Sequence, residues 1–247
     1  MRGLFAVILL DLKRLWVDRI RLAVSLIQPL LYLFVLGSGL GASSRLGTGS
    51  YLPYIFPGVV SLSLLFTSVF AAMLIVFDRQ TGFLRAVLVA PVSRLAIAIG
   101  KILSGAIQAL VPGTIIMIFM PIIGITPSWG SFFEFLAAAA FAAIAFSSLG
   151  VAVAARFKST TVFPVIGNAI LLPMFFLSGA LYPLSAAPKW LQIAAHVDPV
   201  AYAVDLMRGP LLGQFFFPVW LSVLVLAVFI IVTAWLATRI FTTGEDA

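Results

Sequence analysis

The sequence predicts an all-α integral membrane protein, and composition is the first reason. Of its 247 residues, 63% are hydrophobic and only 9% are charged, whereas a soluble domain carries about a quarter charged residues. The mean hydropathy of +1.20 also indicates lipid as the main solvent. We expect residues 1–247 to form a single transmembrane domain.

Composition also limits the chemistry available to the chain. The net charge is +7, but the basic residues lie in short segments between apolar runs, which is typical of membrane topology and not of a nucleic-acid site. The absence of cysteine excludes disulfides and catalytic thiols. One histidine and eight carboxylates leave little from which to build a metal or acid–base site. We therefore expect no nucleic-acid partner, no metal and no catalytic residue.

Long apolar runs predict six membrane-spanning helices. A crossing helix needs about 20 mostly apolar residues. The runs that satisfy this length are 22–40, 56–77, 102–125, 135–155, 162–182 and 215–236. Small residues in the fourth run, including Ala143, Ser147, Gly150 and Ala154, predict that it packs closely against its neighbours.

Residues 1–21 are predicted to form an amphipathic helix that lies on the membrane surface. Apolar side chains from Leu4 to Trp16 recur on one helical face, whereas Asp11 and Lys13 fall on the other. A secretory signal peptide is the alternative interpretation. It is disfavoured because the apolar run stops at Asp11 and no small-residue cleavage site follows.

The distribution of Lys and Arg predicts the orientation. These residues concentrate in cytoplasmic loops, and twelve of them lie before the first run, in the second and fourth connections, or after the last run. Only Arg45, Lys189 and Arg208 lie on the other side. With six spans, both termini are expected to be cytoplasmic.

The 78–94 segment, DRQTGFLRAVLVAPVSR, concentrates charges between two predicted spans. Phe83, Leu84 and Leu88 share one helical face while Arg85 points away, which predicts a short amphipathic helix closed by Pro91.

At the start of this segment, Asp78 and Thr81 are expected to cap the helix, and Gly82 permits a tight entry. The alternative is a solvated loop whose charges only set orientation. The residues alone leave helix and loop equally open.

Three motifs, in this order along the chain, resemble those of a known family. They are YLPYIFPGVV at 51–60, the 78–94 segment, and FFLSGALYPLSAAPKWLQIAAHVDPVAYAVDLMRG at 175–209. The chain is similar to the membrane subunits of type-2 ATP-binding cassette (ABC) exporters, particularly the permeases of daunorubicin-type drug resistance and nodulation-factor export.

The resemblance implies that the 78–94 segment contains a coupling helix that contacts an ABC ATPase subunit. The residues that it assigns to coupling are Asp78, Arg79, Gly82, Phe83, Leu84, Arg85, Leu88, Pro91 and Arg94. Ala86 stands where related permeases often have Glu, which removes one acidic contact with the ATPase.

The resemblance also implies the partners. No Gly-x-x-x-x-Gly-Lys-Ser/Thr motif occurs in the chain, so ATP is expected to be bound elsewhere. We expect two ATPase subunits that supply ATP and Mg, no cofactor on this chain, and a second permease copy that forms a homodimer. The location implied is the inner membrane of a prokaryote.

A transport path is expected between the two copies. Its candidate lining is Phe66, Thr67 and Phe70 in the second span, with Asn168, Met174 and Phe175 in the fifth. An amide such as that of Asn168 is costly in lipid unless it meets a partner or a cavity. Interhelical packing is the alternative role for these side chains.

Residues 183–210 are too apolar for a free loop, and the resemblance implies short re-entrant helices that form an outer gate. The candidate gate residues are Trp190, Asp198, Pro199, Tyr202 and Asp205. Asp205 and Arg208 are at helical spacing, which predicts an ion pair.

These observations favour an ATP-driven exporter of a hydrophobic or amphipathic compound, either a drug-like molecule or a lipid. The alternative cargo is a lipid-linked glycan or lipo-oligosaccharide. From other classes, the alternatives are a membrane-embedded lipid enzyme and an ATPase-free channel or assembly factor.

Overall fold

The computed structural model describes residues 8–9, 11, 13, 19–39, 51–82, 94–157 and 159–243. Every regular element within these residues is helical, as predicted. The main helices in chain order are α1 (Arg19–Leu31), α2 (Tyr51–Ala71), α3 (Met73–Gln80), α4 (Arg94–Met117), α5 (Trp129–Arg156), α6 (Val162–Leu177), α7 (Lys189–Val197), α8 (Pro199–Leu212) and α9 (Val219–Thr243).

Four helical stretches in the described part of the chain are long and apolar enough to cross a membrane. They are Tyr51–Gln80, Leu95–Met117, Trp129–Arg156 and Val219–Ile240. These correspond to the predicted second, third, fourth and sixth spans. The predicted first and fifth spans coincide with the shorter apolar helices Ala23–Gly39 and Val162–Leu177, so the count of six stays a prediction.

Several predicted span boundaries differ from the ends of the observed helices. The third span was expected from Ile102 to Ile125, but α4 runs from Arg94 to Met117. It thereby includes Lys101, which is neutralised by carboxylates inside the fold. The fifth was expected to reach Tyr182, but α6 ends at Leu177. The sixth was expected from Phe215, whereas α9 begins at Val219.

Helix α5 forms the centre of the bundle and packs against α2, α4, α8 and α9. The predicted close packing of its small residues is confirmed, since Ala143, Ser147 and Ala154 are all buried. A Cβ atom at Gly150 would lie 2.7 Å from the Cα of Val69. The backbones of α2 and α5 therefore meet without intervening side chains.

Helix α1 is irregular and partly exposed. It contains Pro29 and continues as a π-helical turn at Tyr32–Leu36. Proline lacks the N–H that would continue the hydrogen-bond ladder, which favours such a local change of pitch. The helix packs against α2 and α4 and leaves a gap beside them.

The 183–210 segment contains helix α7 and most of α8. The Asp198 carboxylate accepts a hydrogen bond from the Val200 N–H at 2.9 Å and thereby caps α8. Gly213, at φ +66°, ends α8 in the left-handed region. Helix α8 is buried along most of its length against α2, α5 and α9.

Candidate functional site

Lys101 is the centre of a buried polar cluster at which three distant parts of the chain meet. Its Nζ lies 3.0 Å from Oδ1 of Asp11 and 3.3 Å from Oδ2 of Asp78. The Ser104 hydroxyl donates to Oδ2 of Asp11 at 2.9 Å. We call these four residues the Lys101 cluster. All four are at most 9% exposed, and the lysine supplies a countercharge that lowers the cost of burying the two carboxylates.

This arrangement corrects two predictions from the sequence. Asp78 was expected to cap the helix of the 78–94 segment, but it lies buried near the end of α3. Asp11 was expected on a polar outer face, whereas it is buried and the apolar Leu9 is 61% exposed. The overlooked signal is Lys101 itself, because a lysine about two turns inside an apolar helix requires acidic partners.

Arg79 attaches the end of α3 to the end of α5. Its Nη2 donates to the carbonyl oxygen of Ala155 at 2.9 Å, and its Nη1 to that of Phe157 at 3.1 Å. The last carbonyl groups of a helix have no intrahelical donors, and the guanidinium group supplies them. Thr160 adds a hydrogen bond to Oε1 of Gln80 at 3.1 Å. The guanidinium group of Arg79 therefore binds backbone carbonyl groups of the same chain, at the base of the 78–94 segment.

The turn predicted at Gly82 is confirmed by its φ of +74°. The Thr81 hydroxyl donates back to the Phe77 carbonyl at 3.0 Å and so closes α3. Its expected role as a cap of the following helix stays a prediction, because that helix lies outside the described residues. Arg94 begins α4. The remaining predicted coupling residues lie outside the described residues: Phe83, Leu84, Arg85, Leu88 and Pro91. The amphipathic helix of this segment stays a prediction, as does most of the one at 1–21.

An open cavity of about 210 Å³ lies between α1, α2 and α4. It is lined by Val24, Ser25, Gln28, Pro29, Leu62, Ser63, Phe66, Thr67, Phe70 and Gln108. The lining thus includes the three candidate pathway residues of the second span. Its polar groups are hydroxyls and amides, and none of the lining side chains is charged. Such a cavity suits an apolar molecule that carries uncharged hydrogen-bonding groups.

The candidate pathway residues on α6 do not line this cavity. The Phe175 ring is buried and forms a T-shaped contact with the Tyr32 ring, at 6.3 Å between centroids. Met174 is half-buried, and the Asn168 side chain is exposed on the helix surface. The two predicted halves of the path are therefore not brought together within one chain. Sequence reasoning missed the contribution of α1, whose polar Ser25 and Gln28 were the available signal.

In the 183–210 segment, the candidate gate residues differ widely in exposure. The Tyr202 ring stacks on Phe217 with 4.2 Å between centroids, and its hydroxyl donates to the His196 carbonyl at 2.8 Å. Asp198 and Pro199 are buried, and burial raises the pKa of Asp198 to about 7. Trp190 is 64% exposed. All but Trp190 therefore belong to the packed interior of this segment.

The predicted ion pair between Asp205 and Arg208 is wrong. The Asp205 carboxylate accepts hydrogen bonds from the backbone N–H groups of Phe216 at 2.8 Å and Phe217 at 2.9 Å. Arg208 instead donates from Nη2 to the carbonyl oxygen of Gly179 at 2.9 Å. Both charges are thus used to hold loop backbone next to α8.

Four long apolar helices around a small-residue core, with an uncharged cavity at their side, define a multi-pass helical membrane protein. Residues 2–212 match the family model described as ABC-2 type transporter. The chain therefore belongs to the ABC-2 type transporter family, and membership implies a permease role beside an ABC ATPase partner.

Individual relatives agree over most of the chain. Nodulation protein J of Rhizobium leguminosarum bv. viciae is 32% identical over 219 residues, covering 87% of this chain and 84% of the relative. Nodulation protein J of Rhizobium meliloti is 31% identical, covering 87% and 83%. A protein described as a transport permease in Cyanophora paradoxa is 29% identical over 210 residues, covering 79% and 71%.

Proposed function

We propose that this chain is the membrane-spanning subunit of an ATP-driven exporter that moves a hydrophobic or amphipathic compound out of the cytoplasm or inner leaflet. Two separate ABC ATPase subunits bind ATP and Mg, and this chain binds no cofactor. The observation that carries the proposal is that polar contacts of Arg79 and Lys101 attach α3 and α4, the helices on either side of the 78–94 segment.

This attachment makes the segment suitable for transmitting movement. On one side, Arg79 joins α3 to the carbonyl end of α5. On the other, Lys101 joins α4 to Asp78 across the base of the segment. A displacement imposed on such a segment is passed to the spanning helices as a rigid-body shift, whereas a loosely attached loop would absorb it.

The proposed topology has six spans, with both termini on the cytoplasmic side of a prokaryotic inner membrane. Residues 19–39 form a continuous helical run of 21 residues, about 31 Å long at 1.5 Å per residue. That length is sufficient for a first span. Helix α6 has 16 residues, and the chain beyond it continues toward the outer surface as the fifth crossing.

A homodimer is proposed because α6 presents a polar group on an apolar surface. Asn168 is exposed on the same helix as the exposed Val165 and Phe176. A side-chain amide facing lipid is costly, and a second copy of the chain would supply a hydrogen-bonding partner.

The cavity supports the cargo class. Its aromatic and aliphatic walls favour an apolar body, and its uncharged lining disfavours an ionic one. A lipid-linked glycan is the second candidate, favoured by the hydroxyl and amide groups of Ser25, Gln28, Ser63, Thr67 and Gln108.

The proposal is tested by purifying the tagged chain from membranes of its own host and asking whether an ATPase co-purifies. We expect a stable complex whose ATP hydrolysis is several-fold lower when Gly82 is replaced by Val. Gly124→Val is the matched control, since Gly124 also has a positive φ, of +85°, and open space around its Cα. Transport by the chain in liposomes without any ATPase would contradict the proposal, as would equal losses in the two variants.

A further inference from the structure

We propose that Lys101 is a positioning residue that links the residues around Asp11, here called the N-terminal segment, to the base of the 78–94 segment, so that both segments move as one unit. The role of this unit in ATP-driven transport rests on the proposed function. The linkage itself does not, because it concerns contacts within one chain.

The contacts join residues that are far apart in sequence. Asp11 and Asp78 are separated by 90 and 23 residues from Lys101, yet both carboxylates reach its ammonium group. An ammonium group has three N–H donors without a fixed fork, so it can serve two acids that approach from different elements. Lys101 thereby connects the N-terminal segment, α3 and α4 at one point.

Asp11 is held in one orientation. Its Oδ1 accepts from Lys101 at 3.0 Å and its Oδ2 from the Ser104 hydroxyl at 2.9 Å. Because Ser104 and Lys101 lie on adjacent turns of α4, the two bonds fix the register of the N-terminal segment along that helix. Among its described residues 8, 9, 11 and 13, only Asp11 is buried.

The charges make the linkage dependent on the lysine. The Lys101 ammonium group is shared by both buried carboxylates. Without it, Asp11 and Asp78 lose the cation that joins them, and the repulsion between two buried like charges disfavours their approach. The N-terminal segment is therefore expected to separate from α3 when the lysine is removed.

The native chain has no cysteine, so paired spin labels can be attached at chosen sites. We would place them at Leu9→Cys and Thr81→Cys, since both side chains are exposed, and measure the inter-label distance in the purified full chain. We expect a single narrow distribution. Asp11→Asn and Lys101→Met should each broaden it at least twofold, whereas Lys101→Arg should keep it narrow.

Lys13→Met is the matched control, because Lys13 is exposed on the same segment, and it should leave the distribution unchanged. Asp11→Asn is nearly isosteric and decides the question if Lys101→Met does not fold. A distribution that is broad in the parent chain, or equally narrow in Asp11→Asn, would overturn the linkage.

The joint movement of the two segments is tested in the complex of the chain with its ATPase, in which ATP and vanadate trap the closed state. We expect the distance from Thr81 to a label at the exposed Trp129→Cys to change, while the Leu9–Thr81 distance stays constant. If the Leu9–Thr81 distance changes on trapping, the single-unit inference fails. If no ATPase associates, the proposed function fails, and the purified-chain measurement still decides the linkage.

Discussion

The guanidinium group of Arg208 lies over the ring of Tyr54, with its Cζ atom 4.1 Å from the ring centroid. The same group donates to the carbonyl oxygen of Gly179. One side chain of α8 therefore holds both α2 and the turn that follows α6. At 5% exposed, Arg208 makes these contacts largely away from water, where cation–π and charge-assisted hydrogen bonds are strongest.

Arg208→Met should lower the free energy of unfolding by about 2–3 kcal/mol, because the ring contact and the bond to Gly179 are both lost. The measurement is the midpoint of heat-induced unfolding in detergent. Arg239→Met is the control, since Arg239 also lies over an aromatic ring, that of Trp235 at 4.7 Å, but is exposed. If both variants lower the unfolding midpoint equally, burial of Arg208 does not strengthen its contacts.

Asp198 should make stability depend on pH. Its pKa of about 7 in the folded chain lies above the usual value of 3.8 for an aspartate because the carboxyl group is buried. Between these two values the folded chain retains a proton that the unfolded chain releases, so stability falls as pH rises from about 4 to 7 and is level above. Asp198→Asn should remove this fall in the free energy of unfolding, which is on the order of 4 kcal/mol for a pKa difference of about three units.

The test compares thermal unfolding of the parent chain and Asp198→Asn at pH 5 and pH 8. We expect the variant to gain stability relative to the parent chain, and to gain more at pH 8. Glu134→Gln, which changes an exposed carboxyl group of α5, should show no such difference. A variant that loses stability at pH 8 would show that the ionised Asp198 stabilises the fold.

Gly150→Ala should destabilise the bundle by about 1–3 kcal/mol, because the added Cβ would meet the α2 backbone at Val69. Gly130→Ala on the same helix is the control. There the nearest atom is Oγ of Ser128 at 3.8 Å, and alanine favours the helix by up to about 1 kcal/mol over glycine. If the unfolding midpoints of Gly150→Ala and Gly130→Ala move in the same direction, then α2 and α5 can move apart to accept the added methyl group without loss of stability.

Thr67→Cys should react with a small water-soluble thiol reagent, because Thr67 lines the open cavity. Ser68→Cys, one residue further along α2, should stay unmodified, since Ser68 is fully buried and its hydroxyl points to the Ala143 carbonyl at 3.4 Å. Mass spectrometry of the intact chain gives the extent of labelling. Equal labelling of Thr67→Cys and Ser68→Cys would contradict the prediction that the reagent reaches α2 through the cavity.

Local features of the chain were predictable. The apolar runs that became α2, α4, α5 and α9 exceed the length needed to cross a membrane, and this requirement is independent of neighbouring helices. The buried small residues of α5 and the turn at Gly82 follow from side-chain volume and backbone freedom at single positions. Each of these inferences needed only adjacent residues.

Predictions that required a partner for a polar group were wrong where the nearest residue in sequence was chosen. Asp205 was paired with Arg208, three residues away, but it binds the backbone of Phe216 and Phe217. Asp78 was assigned to its own turn, but it binds Lys101. A buried charge takes the partner with the best geometry after the helices have packed, and helical spacing does not reveal that partner.

Hydrophobicity and length act along a single helix, so the amino-acid sequence was sufficient to identify a helical membrane protein and the runs that are long enough to span. The cluster of Asp11, Asp78 and Lys101 becomes visible once the helices are packed. The same holds for the cavity, which draws its lining from α1, α2 and α4 and not from α6. Such contacts depend on how helices remote in sequence pack together, and burial then makes each unpaired charge too costly to leave without a partner.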